Sequence, residues 1–241
     1  MKYGIFGDIH GNLEALEAVV ARLKDIGAQK FICVGDIIGY GANPVECLET
    51  VIGLNATIVA GNHDFATIEK LNIDFFNSYA REAVLWTRKQ ITPAHFDLLS
   101  HLKLVERVDD KITVVHGSLN FPEMFDYIQT SYDAHLSLQA LETQVCFLGH
   151  SHVPVTFFQK KTVSYSMDQK FKLEKDWRAL VNVGSVGQPR DENPDSCCAI
   201  YDSDESTVEL VRTPYDIEKA GRKIIQAGLP EILAERLRYG R

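Results

Sequence analysis

Asp8 and His10 stand two positions apart in "GDIHGN" (residues 7–12), with a glycine on either side, directly after the apolar run Tyr3-Gly4-Ile5-Phe6. Alternation along a continuing strand puts both on one face, and a glycine-rich turn aims both at one point. Carboxylate and imidazole are ligands for the same metals, although Asp and His beside a turn more often cap it or face solvent. Repetition gives the pair its meaning. "GDIIGYG" carries Asp36, "GNHD" carries Asn62, His63 and Asp64, "HGS" carries His116, and "GHSH" carries His150 and His152. Each of these segments couples a glycine to a side chain able to bind metal. The remaining histidines, His95, His101 and His135, fall on predicted helices, where a surface or packed histidine is the ordinary expectation.

Asp8, His10, Asp36, Asn62, His116, His150 and His152 are seven candidate ligands. They are too many for a single four-coordinate zinc and about right for two ions sharing a bridging carboxylate. A mixed oxygen and nitrogen set without thiolate suits Mn, Fe, Zn, Ni or Co better than Ca or Mg. Other catalytic schemes lack their residues. There is no GxxxxGK[ST], Val183 stands where a GxSxG elbow at Ser185 needs glycine, and His150 and His152 are not in HExxH spacing.

The elements that must position these groups read as alternating strands and helices. "KYGIF", "KFICV" and "ATIVA" are apolar strand runs; "NLEALEAVVARLKDIG" has Leu13, Leu16, Val20 and Leu23 at helical spacing, and "NPVECLETVIG" starts with Pro44 at the first helical position. This βαβαβ pattern implies a parallel sheet. Asp8, Asp36 and Asn62, 28 and 26 residues apart (36 − 8 and 62 − 36), recur at the period of a βαβ unit and so emerge at one carboxyl edge. Residues 74–108 read as two helices, followed by the strand "ITVVHG", a helix over 131–142 and the strand "VCFLGH". Beyond His152 the runs "VPVTFFQ", "KTVSYS", "ALVNVG", "CCAIYD" and "STVELVR" suggest a largely antiparallel second sheet, with two covering helices at the C-terminus. No linker or repeat divides residues 1–241, which predicts one domain.

Composition restricts the function further. With 241 residues and 45% hydrophobic content a sizeable core is expected, and 25 Lys+Arg against 33 Asp+Glu argue against a broad nucleic-acid or anionic-membrane surface. No run approaches a membrane span and no signal-peptide apolar region precedes Asp8, so a soluble cytoplasmic protein is expected. Five cysteines without CxxC spacing predict reduced thiols, with Cys33 and Cys146 serving as small hydrophobes in strands.

Asp8/His10, Gly35-Asp36, Gly61-Asn62-His63-Asp64, His116-Gly117 and Gly149-His150-Ser151-His152 occur in the order of the signature of the calcineurin-like metallophosphoesterases, and residues 3–190 resemble the compact bacterial members of that family. The arginine that phosphatase relatives have after the second aspartate is absent; Ile37, Ile38, Gly39 and Tyr40 occupy that loop. The resemblance implies a four-layer α-β-β-α sandwich of two mixed sheets with a dimetal site at the strand ends. It implies that Asp8, His10 and His152 bind one metal and Asn62, His116 and His150 the other, with Asp36 bridging. It implies further that Asp64 orients His63, and that dimetal-activated hydroxide attacks a phosphoester while the non-ligand His63 assists the leaving group. "GSVGQPRD" either brings backbone N–H groups and Arg190 to a phosphate or is a glycine loop with a surface arginine. "NFPEMFDYI", within residues 119–128, either forms a lid or packs its aromatics in the core. The function expected is hydrolysis of a small-molecule or protein phosphoester, by a phosphatase or phosphodiesterase. The alternative is a non-catalytic interaction module of the same fold, which the retained His63 and complete ligand set argue against.

Overall fold

The alternating apolar signals of the first sixty residues become β1 (Lys2–Phe6), α1 (Leu13–Asp25), β2 (Lys30–Cys33), α2 (Pro44–Gly53) and β3 (Thr57–Ile58) in the computed structural model, which describes residues 1–241. The three strands are parallel in the order β3-β2-β1. Asn12 caps α1 by accepting from the Ala15 N–H, and Leu16, Val19, Val20 and Leu23 pack under the sheet.

The middle of the chain forms α3 (Asn62–Thr67), α4 (Ser78–Arg88), α5 (Pro93–Ser100), β4 (Val105–Arg107), β5 (Ile112–Val115), α6 (Ser131–Gln139) and β6 (Val145–Leu148). Two helices fall within residues 74–108 as expected, and Thr92 caps the second; residues 105–107, however, pair as a strand with β5 instead of continuing a helix. The C-terminal part gives β7 (Val155–Gln159), β8 (Val163–Ser166), β9 (Lys170–Lys172), β10 (Arg178–Asn182), β11 (Ser196–Asp202), β12 (Thr207–Thr213), α7 (Ile217–Gln226) and α8 (Glu231–Leu237).

These late strands do not make a second sheet by themselves. β11, β12 and β9 extend the first sheet to β3-β2-β1-β11-β12-β9, while β10, β7 and β8 extend the second to β4-β5-β6-β10-β7-β8. Both sheets are mixed: β5, β6 and β10 run parallel, and β11 lies antiparallel to β1. Strand runs of similar apolar content cannot specify which distant edge they join, because pairing is settled by burial on both faces.

Ile5, Ile32, Val114, Phe147, Val181 and Tyr201 fill the space between the sheets. α1 and α2 cover the outer face of the first sheet, where Phe6, Cys33 and Cys198 lie, and α6 covers the second through Ala134 and Leu138 against Cys146 and Leu180. The result is the expected α-β-β-α sandwich. All five cysteines are buried and unbridged, and no helix is long and apolar enough to cross a membrane.

Candidate metal centre

The strands stop at the site because the backbone turns left-handed there. Asp8 (φ 47°), His10 (φ 50°), Asp36 (φ 51°), His150 (φ 69°) and His152 (φ 61°) all have positive φ, which is uncommon outside glycine and least costly for Asp, Asn and His. Simple alternation along a strand therefore does not aim Asp8 and His10; a turn does. The turns interlock. Ile9 and His10 donate to the Asp36 carbonyl at 2.8 and 3.0 Å, and Val186 and Gly187 donate to Gly7 and Asp8 at 3.0 and 2.9 Å. Two glycines are dictated by close approach: a Cβ on Gly61 would collide with the Asp36 carboxylate, and one on Gly149 with that of Asp8.

Asp8, Asp36, His10, His116 and His152 are each held at one side-chain atom and present another. Asp8 Oδ2 accepts from the His150 N–H at 2.9 Å, and Asp36 Oδ1 from the His63 N–H at 2.8 Å. Among the histidines, His10 Nδ1 donates to the Ile38 carbonyl (3.3 Å), His116 Nδ1 to Val34 (2.8 Å) and His152 Nδ1 to Gln188 (2.7 Å). A carbonyl can only accept, so each Nδ1 carries the proton and each Nε2 is left as a lone pair when the ring is neutral.

Those Nε2 atoms converge with the free carboxylate oxygens. His152 Nε2 lies 3.2 Å from Asp8 Oδ1 and 3.1 Å from His10 Nε2; His116 Nε2 lies 3.3 Å from Asp36 Oδ2 and 3.1 Å from Asn62 Oδ1. Asp8 Oδ1 is fully buried without a hydrogen-bond partner. Lone pairs facing one another in a dry site repel, and a cation between them removes the repulsion. The donor groups form two clusters suited to metal, Asp8/His10/His152 and Asp36/His116/His150, with Asn62 beside the second; a third grouping, His10/Asp36/His63, lies between.

Charge and burial compete here. Burial alone would raise Asp36, but the facing His116 and His63 rings hold it well below the usual carboxylate range. Burial favours neutral His116, yet Asp36 outweighs it and the ring is raised to about 9. At His10 and His150 burial wins and both are held well below the ordinary histidine value, while His63 is lowered to about 4, again by burial first. A metal competes with protons for the same ring nitrogens.

The other expected residues fall as follows. Asp64 does not touch the His63 ring. Its carboxylate accepts from the backbone N–H groups of Asp36 (2.9 Å), Ile37 (3.0 Å), Ile38 (3.3 Å) and Gly61 (3.0 Å), tying the Asp36 loop to the start of α3. His63 Nδ1 is buried without a partner, and the ring packs against Tyr40, His10 and Phe76 with centroids 4.4, 4.9 and 5.1 Å away.

The "GSVGQPRD" loop spends its backbone N–H groups internally: those of Val186 and Gly187 go to the first strand end, that of Gln188 to Ser185 Oγ, and that of Arg190 to the His152 carbonyl. It clamps the Asp8 turn and does not cradle an anion. The Arg190 guanidinium is half-buried beside Tyr40, 5.9 Å from the ring centroid, with Nη2 on Gln188 Oε1 at 3.1 Å.

Residues 119–128 divide between the two expected roles. Phe125 is buried, edge-on to Phe65 and His116; Phe121 is exposed; Tyr127 stacks on His150 at 4.0 Å and 12°. Sequence reasoning missed Tyr40, Phe76 and Gln188, and also Asn182, whose amide donates to the Gly149 carbonyl and Ser151 Oγ at 2.6 and 2.9 Å. The only signal for Tyr40, Asn182 and Gln188 was proximity to a glycine-rich motif, and Phe76 had none.

This arrangement is that of a metallophosphoesterase. Residues 1–206 match the calcineurin-like phosphoesterase superfamily domain, and the chain belongs to that family. It is 39% identical over 240 residues to the uncharacterized protein MJ0912 of Methanocaldococcus jannaschii, covering 98% of this chain and 97% of that one. The crystal structure of a metallophosphoesterase from Sphaerobacter thermophilus superposes with a TM-score of 0.86 at 37% identity, covering 100% of this chain and 99% of the other. The hypothetical protein PH1004 from Pyrococcus horikoshii OT3 shares the fold, with a TM-score of 0.81 at 19% identity over 100% and 98% of the two chains.

Proposed function

We propose that this protein is a phosphoester hydrolase working with two metal ions, one held by Asp8, His10 and His152, the other by Asn62, His116 and His150, with Asp36 shared between them. The observation that carries this is the convergence of the Nε2 atoms of His10, His116 and His152 with one free oxygen from each aspartate, the Nδ1 of each of those rings and the other oxygen of each carboxylate being spent on the backbone. The donor set, without a thiolate, suits Mn, Fe, Zn, Ni or Co. Metals bound there lower the pKa of a coordinated water and neutralise charge on the phosphoryl oxygens.

The chain's own residues supply the rest. Asp36 spaces and neutralises both positions. Arg190, the cation beside Tyr40, grips a non-bridging phosphate oxygen. His63, not a ligand in this assignment, hands a proton or an N–H to the departing oxygen, a role supported by its nearness to His10 and Asp36. His63 together with a complete ligand set favours catalysis over a purely structural role for the fold.

The test is metal stripping and reloading with each candidate ion. Bound metal is counted by elemental analysis, and hydrolysis of p-nitrophenyl phosphate is compared with that of bis-p-nitrophenyl phosphate to separate monoesterase from diesterase activity. Two ions per chain and metal-dependent turnover of at least one ester are expected. A fully loaded chain with one ion refutes the dimetal assignment, and a loaded chain inert to both esters refutes the enzyme.

A further inference from the structure

A cleft of about 520 Å³ opens directly from His63, Asn62 and His150. Its walls come from two loops, residues 71–77 and 123–127, which contribute Phe75, Phe76, Met124, Phe125 and Tyr127. No lysine or arginine lines it, and Glu123 is its one acidic residue. Phe75 is 93% exposed and Met124 66% exposed at its rim, large apolar side chains left open to water beside a reactive centre. Two of the polar side chains in the wall are already engaged: Asn77 Oδ1 caps α4 on the Ala80 N–H, and the Asn72 amide closes on Asp74 through both its oxygen and its nitrogen.

The position of His63 gives the cleft a direction. His63 lies on the wall shared by the cleft and the metal-facing atoms, with its ring 5.1 Å from that of Phe76. If His63 serves the departing oxygen, the alcohol that departs extends into the cleft. We propose that the protein acts on phosphoesters whose departing alcohol carries an uncharged aromatic group, received between residues 71–77 and 123–127; this rests on the phosphoesterase reading above. In the reaction a P–O bond forms from water, the P–O bond to the alcohol breaks, and the proton released by the water balances the one taken up by the leaving oxygen. The aromatic group is held by offset and edge-to-face contacts with the phenylalanines and Tyr127. A second phosphate or a carboxylate on the leaving group would meet Glu123 and no lysine or arginine in the wall, Arg190 standing behind Tyr40.

The experiment compares ethyl phosphate with 2-phenylethyl phosphate, alkanol esters of similar leaving ability, or their methyl diesters if the metal-loaded enzyme acts on diesters. In parallel, ethylphosphonate and 2-phenylethylphosphonate are titrated calorimetrically, which reads the cleft without turnover. The phenyl compound should win by about tenfold or more in kcat/KM and in affinity. Phe75→Ala with Met124→Ala should cut that ratio by roughly threefold or more, and Phe75→Lys should lower it as well. Both sites are exposed, so folding is not at stake. Equal kcat/KM for the two esters, or equal binding of the two phosphonates, overturns the proposal and leaves the phosphoesterase reading standing. Failure to hydrolyse any ester overturns that reading and the proposal with it.

Discussion

Asp64 is fully buried and touches no metal-facing atom, yet its replacement should be among the most damaging in the chain. Its Oδ2 accepts from Asp36 and Gly61, its Oδ1 from Ile37 and Ile38. In Asp64→Asn one oxygen becomes an NH₂ that cannot accept. The amide will orient so that the NH₂ replaces Oδ1, because the Ile38 contact, at 3.3 Å, is the weakest of the four. Two buried N–H groups then lose their acceptor and face another donor. At roughly 1–3 kcal/mol per orphaned donor, the loss is about 2–6 kcal/mol.

For a chain of this size that corresponds to a melting temperature lower by about 4–24 °C. Thermal and urea unfolding should be followed in chelator, so that metal affinity does not enter the stability difference. Metal binding, measured separately by calorimetry, should weaken about 10–100-fold, because the loop carrying Asp36 is no longer pinned. Asp64→Ala, which removes all four acceptors, should be worse on both counts. A chelated Asp64→Asn protein that melts within a degree of the wild type would show that the carboxylate does not hold this loop.

Asp36→Asn should lower metal content and turnover more than His10→Ala, since Asp36 Oδ2 lies between the two clusters, 3.6 Å from His10 Nε2 and 3.3 Å from His116 Nε2; comparable activity in Asp36→Asn and wild type would mean the bridge is misassigned. Arg190→Ala should raise KM with metal content nearly constant, and unchanged KM and kcat across several esters would remove Arg190 from the substrate site. His63→Gln should keep both metals and lose about 10²–10⁴-fold in kcat/KM on an alkyl ester, with a clearly smaller loss on the p-nitrophenyl ester, whose leaving group departs without a proton. Equal losses would make His63 a stabiliser of phosphoryl charge, and loss of a metal would make it a ligand. At Glu14, burial opposes ionisation, but Lys223 at 2.6 Å and Lys219 at 3.1 Å outweigh it and hold the carboxyl below its usual range. Glu14→Gln should therefore cost about 1 kcal/mol at neutral pH, discounted for the partly exposed lysines, and the gap should close as pH falls through the depressed folded value. Urea denaturation at about pH 7 and about pH 3 checks this; a gap of the same size at both would rule out the ion pair as its source.

What could be read in advance was whatever a few neighbouring residues determine. A glycine beside an aspartate or histidine at the end of an apolar run is a local signal, and the period of the βαβ unit places such signals at one edge. What escaped depended on partners far along the chain or on segments too short to show periodicity. β11 pairs with β1 across nearly the whole sequence, so the division of the late strands between two sheets had no local trace. α3 spans six residues, under two turns, and its start was marked only by Asp64 accepting from Gly61. The Asp64 carboxylate was expected to serve its neighbour His63, whereas three of its four donors lie 26–28 positions away. Tyr40, Phe76 and Tyr127 sit in loops, where aromatic residues have no pattern that separates a site wall from a core.

The strain at the site and the interlocking of its loops have the same origin. Five candidate ligands occupy left-handed backbone, at a cost on the order of 1–3 kcal/mol each, less for Asp and His than for other side chains. Such conformations persist only where surrounding contacts over-determine them. Here the contacts are backbone hydrogen bonds between the strand-end loops themselves: Asp8 to Gly35, Gly41 to His10, Gly149 to His116, Gly187 to Asp8. Each loop is thus held by another loop that also carries a ligand or supports one. Loosening one turn therefore loosens its neighbours, which is why Asp64, bonded only to backbone, is expected to act on metal affinity as well as on stability. It also explains why the glycines recur: where two such turns cross, one of them must do without a Cβ, and at Gly61 and Gly149 the space goes to the carboxylates of Asp36 and Asp8.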